Sequence, residues 1–361
     1  MNVAGRIERY GLTEGPRHVL VLRQQDIRWL TGFTGGTSQL LVDRENKSGV
    51  LLVDGRYFAR AQEETRQSGA DIEVLCIDAH RTALDVFVSF GVSELGTHPR
   101  HITAEHARTL AETFQIVDEG DHLDELRRVK NPDEIALMQK AAAIADSALL
   151  SVVADGLMGK TEKQVRNRLE FLMREAGADR PSFDTIVATG VHGASAHHEP
   201  TDATIDAGHG VVIDMGAEID GYRSDMTRTV LVGDVSKEYR QMWELVYEAQ
   251  SSALQVVRHG VVGSAVDAAA RAVFSRAGVE DEFVHGTGHG IGLYIHETPI
   301  FSPRCTAVLC TNEVVTVEPG LYRGGVGGVR IEDQVVVTDS FCRILTLSPK
   351  ELSCPQSPRM I

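Results

Sequence analysis

The chain has 361 residues, room for one large domain or two ordinary ones. Hydrophobic residues make up 42% and charged residues 24%, the balance of a soluble globular protein, which excludes a disordered chain. The net charge of −15, from 51 acidic and 36 basic residues, argues against nucleic acid or an anionic membrane surface as a partner.

No run of 18 apolar residues is present, so no membrane span is expected. The segment Met1 to Pro16 lacks the apolar stretch of a secretion signal. The five cysteines, Cys76, Cys305, Cys310, Cys342 and Cys354, are odd in number and lack CxxC spacing. They suggest neither a disulfide framework nor a zinc ribbon, and the expected location is the reducing cytoplasm.

In chain order, Val19 to Leu22, Leu40 to Val42 and Val50 to Val53 are short apolar runs bounded by turn-forming residues, and they predict strands. Asp54-Gly55 predicts a turn and Arg56 to Gln67 a helix. Ile72 to Ile77 predicts a further strand and Thr82 to Phe90 a further helix. This alternation predicts an N-terminal α/β domain, residues 1–121, with a partly parallel sheet.

The boundary is expected near Glu119 to His122, with a second domain over residues 122–361. There Asn131-Pro132-Asp133-Glu134 opens a helix: Asn131 caps, Pro132 takes the first helical position, and Glu134 completes the capping box. The helix should run to about Val153. A second starts at Thr161, with Gln164 in the box and Val165, Leu169, Leu172 and Met173 on one face. Strands follow at Val211 to Asp214 and Thr227 to Val232. Another helix pair is predicted at Lys237 to Arg258 and Ala265 to Ala277, the latter capped by Ser264 and ended by Gly278. Strands then return at Val314 to Glu318 and Val329 to Val337. Two copies of helix, helix, strands predict an α+β domain of pseudo-twofold symmetry with a site at its seam.

The chemistry lies in four pieces. Asp214 ends one strand and Asp225 begins another, so a hairpin can set the two carboxylates side by side. Such a pair repels unless a proton or cations neutralise it. The plainer reading is a pair of turn aspartates. His285-Gly286-Thr287-Gly288-His289-Gly290-Ile291-Gly292 carries too many glycines for a helical metal motif and departs from a dinucleotide loop. Its histidines, with His296, suit metal ligation or proton transfer, against the alternative of satisfied core residues. Glu318 and Glu332 sit in β-rich, apolar surroundings where a carboxylate needs a partner. For Glu332 a salt bridge to Arg330 is the alternative. Taken together, four carboxylates and one imidazole balance two divalent cations. Oxygen-rich ligation suits manganese first, with iron, cobalt or zinc as alternatives.

The order Asp214-x10-Asp225, His289, Glu318, Glu332 resembles the pita-bread metallopeptidases (methionine aminopeptidase, aminopeptidase P, prolidase and creatinase relatives). The stretches Asp225-Met226-Thr227-Arg228-Thr229, Gly288-His289-Gly290-Ile291-Gly292, Thr316-Val317-Glu318-Pro319-Gly320 and Gly328-Val329-Arg330-Ile331-Glu332-Asp333 are similar to its proline-specific branch. So are Trp29-Leu30-Thr31-Gly32-Phe33 and Asp54-Gly55-Arg56-Tyr57. The resemblance covers nearly the whole chain. It implies a creatinase-like N-terminal α/β domain and a pita-bread catalytic domain with a dinuclear centre. Asp214 would bind one metal, His289 and Glu318 the other, and Asp225 and Glu332 would bridge them. His197, His285 and His296 would face the substrate, Glu318 would shuttle a proton, and Arg330 would support the substrate site. The sequence departs from the family at Tyr294, at Thr311-Asn312 in place of a Pro-Gly turn, and at Ser195-Ala196; none of these removes a ligand. The resemblance implies a metallo-exopeptidase acting on proline-containing peptides, and a homodimer. An Xaa-Pro aminopeptidase is the first expectation and an Xaa-Pro dipeptidase the alternative. The third is a non-catalytic binding module, disfavoured because all five ligands are kept.

Overall fold

A computed structural model describes residues 3–354. The chain divides into two compact units, Met1–Arg127 and Arg128–Ile361.

The first unit is built on a six-stranded sheet. From one edge its strands are Glu73–Cys76, Ser48–Val53, Gln39–Asp43, His18–Val21, Glu94–Thr97 and Gln115–Asp118. The pairs on either side of Gln39–Asp43 are antiparallel and the others parallel, so the sheet is mixed, as expected. Leu20, Leu41, Leu52, Val86, Phe87 and Leu95 form its core. The helices Phe58–Ser68 and Ala83–Ser89 fall where the sequence puts them, the latter closed by a Thr82/Asp85 capping box. The helix Gln24–Thr31 was not anticipated, because Arg23 at its N-cap provides no side-chain cap. The division falls at Arg127/Arg128 rather than at 121/122, because the helix His122–Arg128 is tied to the first unit. Its Asp124 pairs with Arg23 and its Arg127 with Asp26, and Arg23 also binds Asp26 at 2.8 Å.

The second unit repeats one plan twice. The capping boxes at Asn131 and Thr161 both form, opening the helices Pro132–Ala154 and Glu162–Glu175. Pro132–Ala154 is long and apolar enough to cross a membrane by length and composition, yet Ala141, Ala145, Leu149 and Val152 lie buried in the first core. There they meet Val165, Leu169 and Met173 of the next helix and the strands His209–Met215 and Met226–Val232. The helices Lys237–Val256 and Gly263–Arg276 form a second core with the strands Val314–Val317, Gly327–Arg330 and Asp333–Val337.

Two expectations are corrected here. The helix Gly263–Arg276 begins one residue before Ser264, with Val262 at its N-cap, so Ser264 is already inside the first turn. Its first free N–H groups are satisfied by backbone instead: Gly263 N donates to Ala307 O at 2.9 Å and Ser264 N to Cys305 O at 3.2 Å. The run Val329 to Val337 is two strands, Gly327–Arg330 and Asp333–Val337, lying in different sheets. The break at Ile331-Glu332 lets Glu332 N donate to Thr227 O at 3.0 Å, which joins the two halves.

A buried ion pair reinforces that seam. Arg228, wholly buried, donates to Asp333 Oδ1 at 2.7 Å and to Ser348 O at 2.8 Å. Asp333 also accepts from Gln250 at 2.8 Å and Thr346 at 3.0 Å. Burial pushes the Asp333 carboxyl up, but Arg228 and Lys350 outweigh it and hold the group below its usual range. Replacing Asp333 with alanine strands a buried guanidinium, which costs about 3–5 kcal/mol. Urea unfolding of Asp333→Ala should show a loss of that size; a loss below ~1 kcal/mol would mean that the pair does not hold the seam.

Candidate metal centre

Asp214 is the penultimate residue of the strand His209–Met215, and Asp225 immediately precedes Met226–Val232. The strands pair antiparallel with Thr227 opposite Asp214. Side chains alternate along a strand, so Asp225 and Thr227 share the face on which Asp214, opposite Thr227, also lies. The intervening chain is a small hairpin, Ala217–Ile219 with Tyr222–Arg223, turned at Asp220 (φ 48°) and Gly221 (φ 78°). It delivers the second carboxylate beside the first, as the spacing predicted.

His289 enters from the strand Gly288–Gly290, squeezed between Glu297–Phe301 and Val314–Val317. A Cβ on Gly288 would lie 2.0 Å from Thr316 O, and one on Gly290 2.2 Å from Thr298 O. The flanking glycines are therefore the condition for the histidine strand to fit. Glu318 follows Val314–Val317, with its N–H on Thr287 O at 2.7 Å. Glu332 sits at the strand break described above.

The five residues converge. His289 Nε2 lies 3.6 Å from Asp225 Oδ2 and 3.3 Å from Glu318 Oε1. Ligand atoms of Asp225, His289 and Glu332 lie within 4.8 Å of one another. All five line one cleft of about 970 Å³, together with His197, His285, His296 and Arg330. Every site residue expected from the sequence is thus in one place. Arg330 does not pair with Glu332, as the alternative reading had it. It pairs with Asp214 Oδ2 at 2.7 Å and donates to Thr227 at 3.0 Å and Tyr322 at 2.8 Å. Glu332 instead accepts from Thr227 at 2.8 Å.

The donor set asks for cations. Asp214 Oδ1 and Glu332 Oε1 are buried and meet no donor among the described residues. His289 Nδ1 faces Gly290 O at 2.9 Å, which assigns the ring proton to that nitrogen and leaves the Nε2 lone pair aimed at carboxylates. Lone pairs facing lone pairs in a buried site are repulsive unless a positive ion lies between them. Burial, then Glu332 and Asp214, push the Asp225 carboxyl well above its usual range. Burial, then Glu318 and Asp214, do the same to Glu332. Burial lowers His289, so its imidazole is neutral, the form that ligates metal. Asp214, Asp225, His289, Glu318 and Glu332 fit divalent metal ions.

The histidines around this set differ. His285 has both nitrogens engaged, Nδ1 with Gly286 O and Nε2 with Tyr322 Oη, each at 2.8 Å. His197 and His296 are exposed to the cleft. The His296 ring meets that of His289 edge-on, with centroids 4.6 Å apart. Tyr322 was not anticipated: it links Arg330 to His285, and a tyrosine in an apolar strand carries no sequence signal of that role. Asp267, wholly buried on Gly263–Arg276, was missed for the same reason. It holds Thr287 through N at 3.2 Å and Oγ1 at 2.8 Å, two residues from His285 and His289.

Residues 136–339 match metallopeptidase family M24, and residues 13–129 match the creatinase/prolidase N-terminal domain. An Xaa-Pro dipeptidase from Pyrococcus horikoshii is 33% identical over 337 residues, 92% of this chain and 93% of the relative. Among solved structures, an Xaa-Pro dipeptidase from Bacillus anthracis superposes with a TM-score of 0.92 at 33% identity, covering 98% of this chain and 100% of the other. An X-Pro aminopeptidase from Thermotoga maritima gives 0.86 at 32% identity, with coverage of 97% and 99%. The chain belongs to metallopeptidase family M24, with the two-domain pita-bread architecture of the prolidases.

Divalent metal should stabilise the stripped protein by about 2.7 kcal/mol at a hundredfold excess over its Kd. Asp225→Asn keeps the shape and removes one charge, so it should fold, bind fewer ions per chain and lose most of that increment. Calorimetric metal titration with elemental analysis decides this; an unchanged stoichiometry would remove Asp225 from the ligand set.

Proposed function

We propose that the chain hydrolyses Xaa-Pro dipeptides, using two divalent ions, manganese first among them. The observation that carries this is the end-to-end likeness to the Bacillus anthracis Xaa-Pro dipeptidase, closer in backbone than the aminopeptidase from Thermotoga maritima. The sequence alone put the aminopeptidase first; the comparisons favour the dipeptidase.

Bound at the five ligands, the ions would polarise the scissile carbonyl and acidify the attacking water. The protein's own residues supply the rest. Glu318 stands beside His289 with Thr316 Oγ1 3.3 Å from its carboxylate, and burial raises its pKa above the usual range. It would take the proton of the attacking water and hand it to the proline nitrogen as the C–N bond breaks. His296, without a hydrogen-bond partner among the described residues, is free to donate to the developing oxyanion. His197, which lines the same cleft, would hold the substrate. Arg330 fixes Asp214 and, through Tyr322, the orientation of His285.

The Xaa-Pro aminopeptidase is the second reading. The cleft, about 970 Å³, stands at the upper end of ordinary ligand pockets and has room beyond a dipeptide. With manganese added, Xaa-Pro dipeptides should be cleaved faster than Xaa-Pro-Xaa peptides of the same first residue. Preferred release of the first residue from tripeptides would reverse that order, and no cleavage of either would end the proline-specific reading.

The histidines should separate by assay. His296→Ala should lose on the order of 10²–10³ in kcat, the usual cost of one oxyanion donor, and keep its metal. His289→Ala should lose metal affinity first and be partly rescued by excess Mn²⁺. Metal titration of both variants is the check: loss of an ion in His296→Ala but not in His289→Ala reverses the assignment.

A further inference from the structure

We propose that Glu162, outside the metal centre, is a positioning residue: its buried carboxylate fixes the 189–201 segment and thereby sets His197 against the substrate. The proposal rests on the reading above that His197 touches substrate.

Glu162 is the first residue of the helix Glu162–Glu175 and is wholly buried. Its two oxygens gather five donors. Oε1 accepts from Thr189 N at 2.8 Å and His192 Nδ1 at 2.9 Å. Oε2 accepts from Thr201 N at 2.8 Å, Thr201 Oγ1 at 2.7 Å and His198 Nε2 at 2.9 Å. Burial alone would raise this carboxyl, but the surrounding hydrogen bonds bring it down to about 2, so it is ionised throughout the working range. A cation could be imagined among Glu162, His192 and His198. Both carboxylate oxygens already receive N–H and O–H donors, however, so the cluster is a hydrogen-bond hub.

The residues tied to the hub bracket a segment with little structure of its own. Residues 190–194 form a short 3-10 helix, and the chain beyond it, up to Thr201, is irregular. Within it His197 lies between two pinned neighbours. Ala196 O accepts from Arg330 Nη1 at 3.2 Å, and His198 is held by Glu162. One tether leads to the arginine that binds Asp214 and the other to the buried carboxylate. His197 itself projects into the cleft. The other half of the unit has a parallel device, since Asp267 grips Thr287 through the same pair of N–H and O–H donors beside His285.

Glu162→Gln preserves the volume but turns one oxygen into an N–H₂ group facing N–H and O–H donors. The segment must then shift, and His197 with it. The test is a double-mutant cycle on kcat and KM for an Xaa-Pro dipeptide with manganese, using wild type, Glu162→Gln, His197→Ala and the double variant. Misplacing a substrate-contacting group costs on the order of 10²-fold, so each single variant should lose roughly 10- to 100-fold in kcat/KM. The double variant should be no worse than the weaker single, and all should keep the wild-type metal content. Losses that multiply would overturn the proposal, because Glu162 would then act independently of His197. Wild-type kinetics in Glu162→Gln would overturn it as well. If His197→Ala alone is harmless, the substrate role of His197 fails and the proposal falls with it, an outcome distinct from multiplying losses. Should Glu162→Gln not fold, Thr201→Val removes one donor. It should give a smaller loss that again vanishes in the His197→Ala background; a loss that persists there overturns the proposal.

Discussion

The mutual repulsion of four carboxylates is the constraint from which the catalytic unit follows. Asp214, Asp225, Glu318 and Glu332 converge on one neutral imidazole at the floor of the cleft, where burial strengthens the interaction of like charges. Among the described residues, the positive side chain paired with a ligand carboxylate is Arg330, on Asp214 at 2.7 Å. One guanidinium cannot offset four charges, and burial first, then the neighbouring carboxylates, push the carboxyls of Asp225, Glu332 and Glu318 upward. Divalent ions relieve the remaining repulsion. Such an arrangement is unstable as a mere structural element, and persists because the surrounding fold holds each carboxylate in place.

That holding is achieved with strand alternation. Thr227 and Arg228 are neighbours on one strand and so point to opposite sides, as do Glu332 and Asp333 where the next strand begins. Thr227 meets Glu332 at 2.8 Å on the site side, and Arg228 meets Asp333 at 2.7 Å in the core. The same two segments therefore contribute one pair to the metal centre and one to the framework. A register slip of one residue would exchange them, placing a framework guanidinium in the site and a ligand in the core. The backbone bond from Glu332 N to Thr227 O excludes that slip.

What the sequence made legible is what depends on local chemistry. The capping boxes at Asn131 and Thr161 are decided within four residues, and both are present. The Asp214 to Asp225 spacing was readable because a hairpin of that length can return the chain. Asn312 takes the positive φ of 71° that its place in a turn requires. The failures depend on partners far along the chain. Ser264 looked like a cap, but the carbonyls of Cys305 and Ala307 fill that role. Val329 to Val337 reads as one apolar run, and only Thr227, a hundred positions earlier, reveals why it breaks. Glu162 and Asp267 sit on amphipathic helices where an acidic residue reads as solvated surface; their partners come from separate loops.

The histidines show how residue type and residue role part company. By residue type and spacing alone His285, His289 and His296 are alike, and only the family resemblance separates a metal ligand from two substrate-facing residues. In the fold they are distinguished by what their nitrogens meet. His289 gives Nδ1–H to a carbonyl and turns Nε2 toward carboxylates, the arrangement that fixes a metal-ligating tautomer. His285 has a carbonyl on one nitrogen and Tyr322 on the other, so its ring is held in place by the Tyr322–Arg330 chain. His296 presents its ring to the cleft in a T-shaped contact with His289. An oxyanion donor must be free in the resting state and positioned in advance, because only then does the transition state gain an interaction that the ground state lacks. Among the three, His296 is the one whose ring makes no hydrogen bond among the described residues, which is why the oxyanion role is proposed for it.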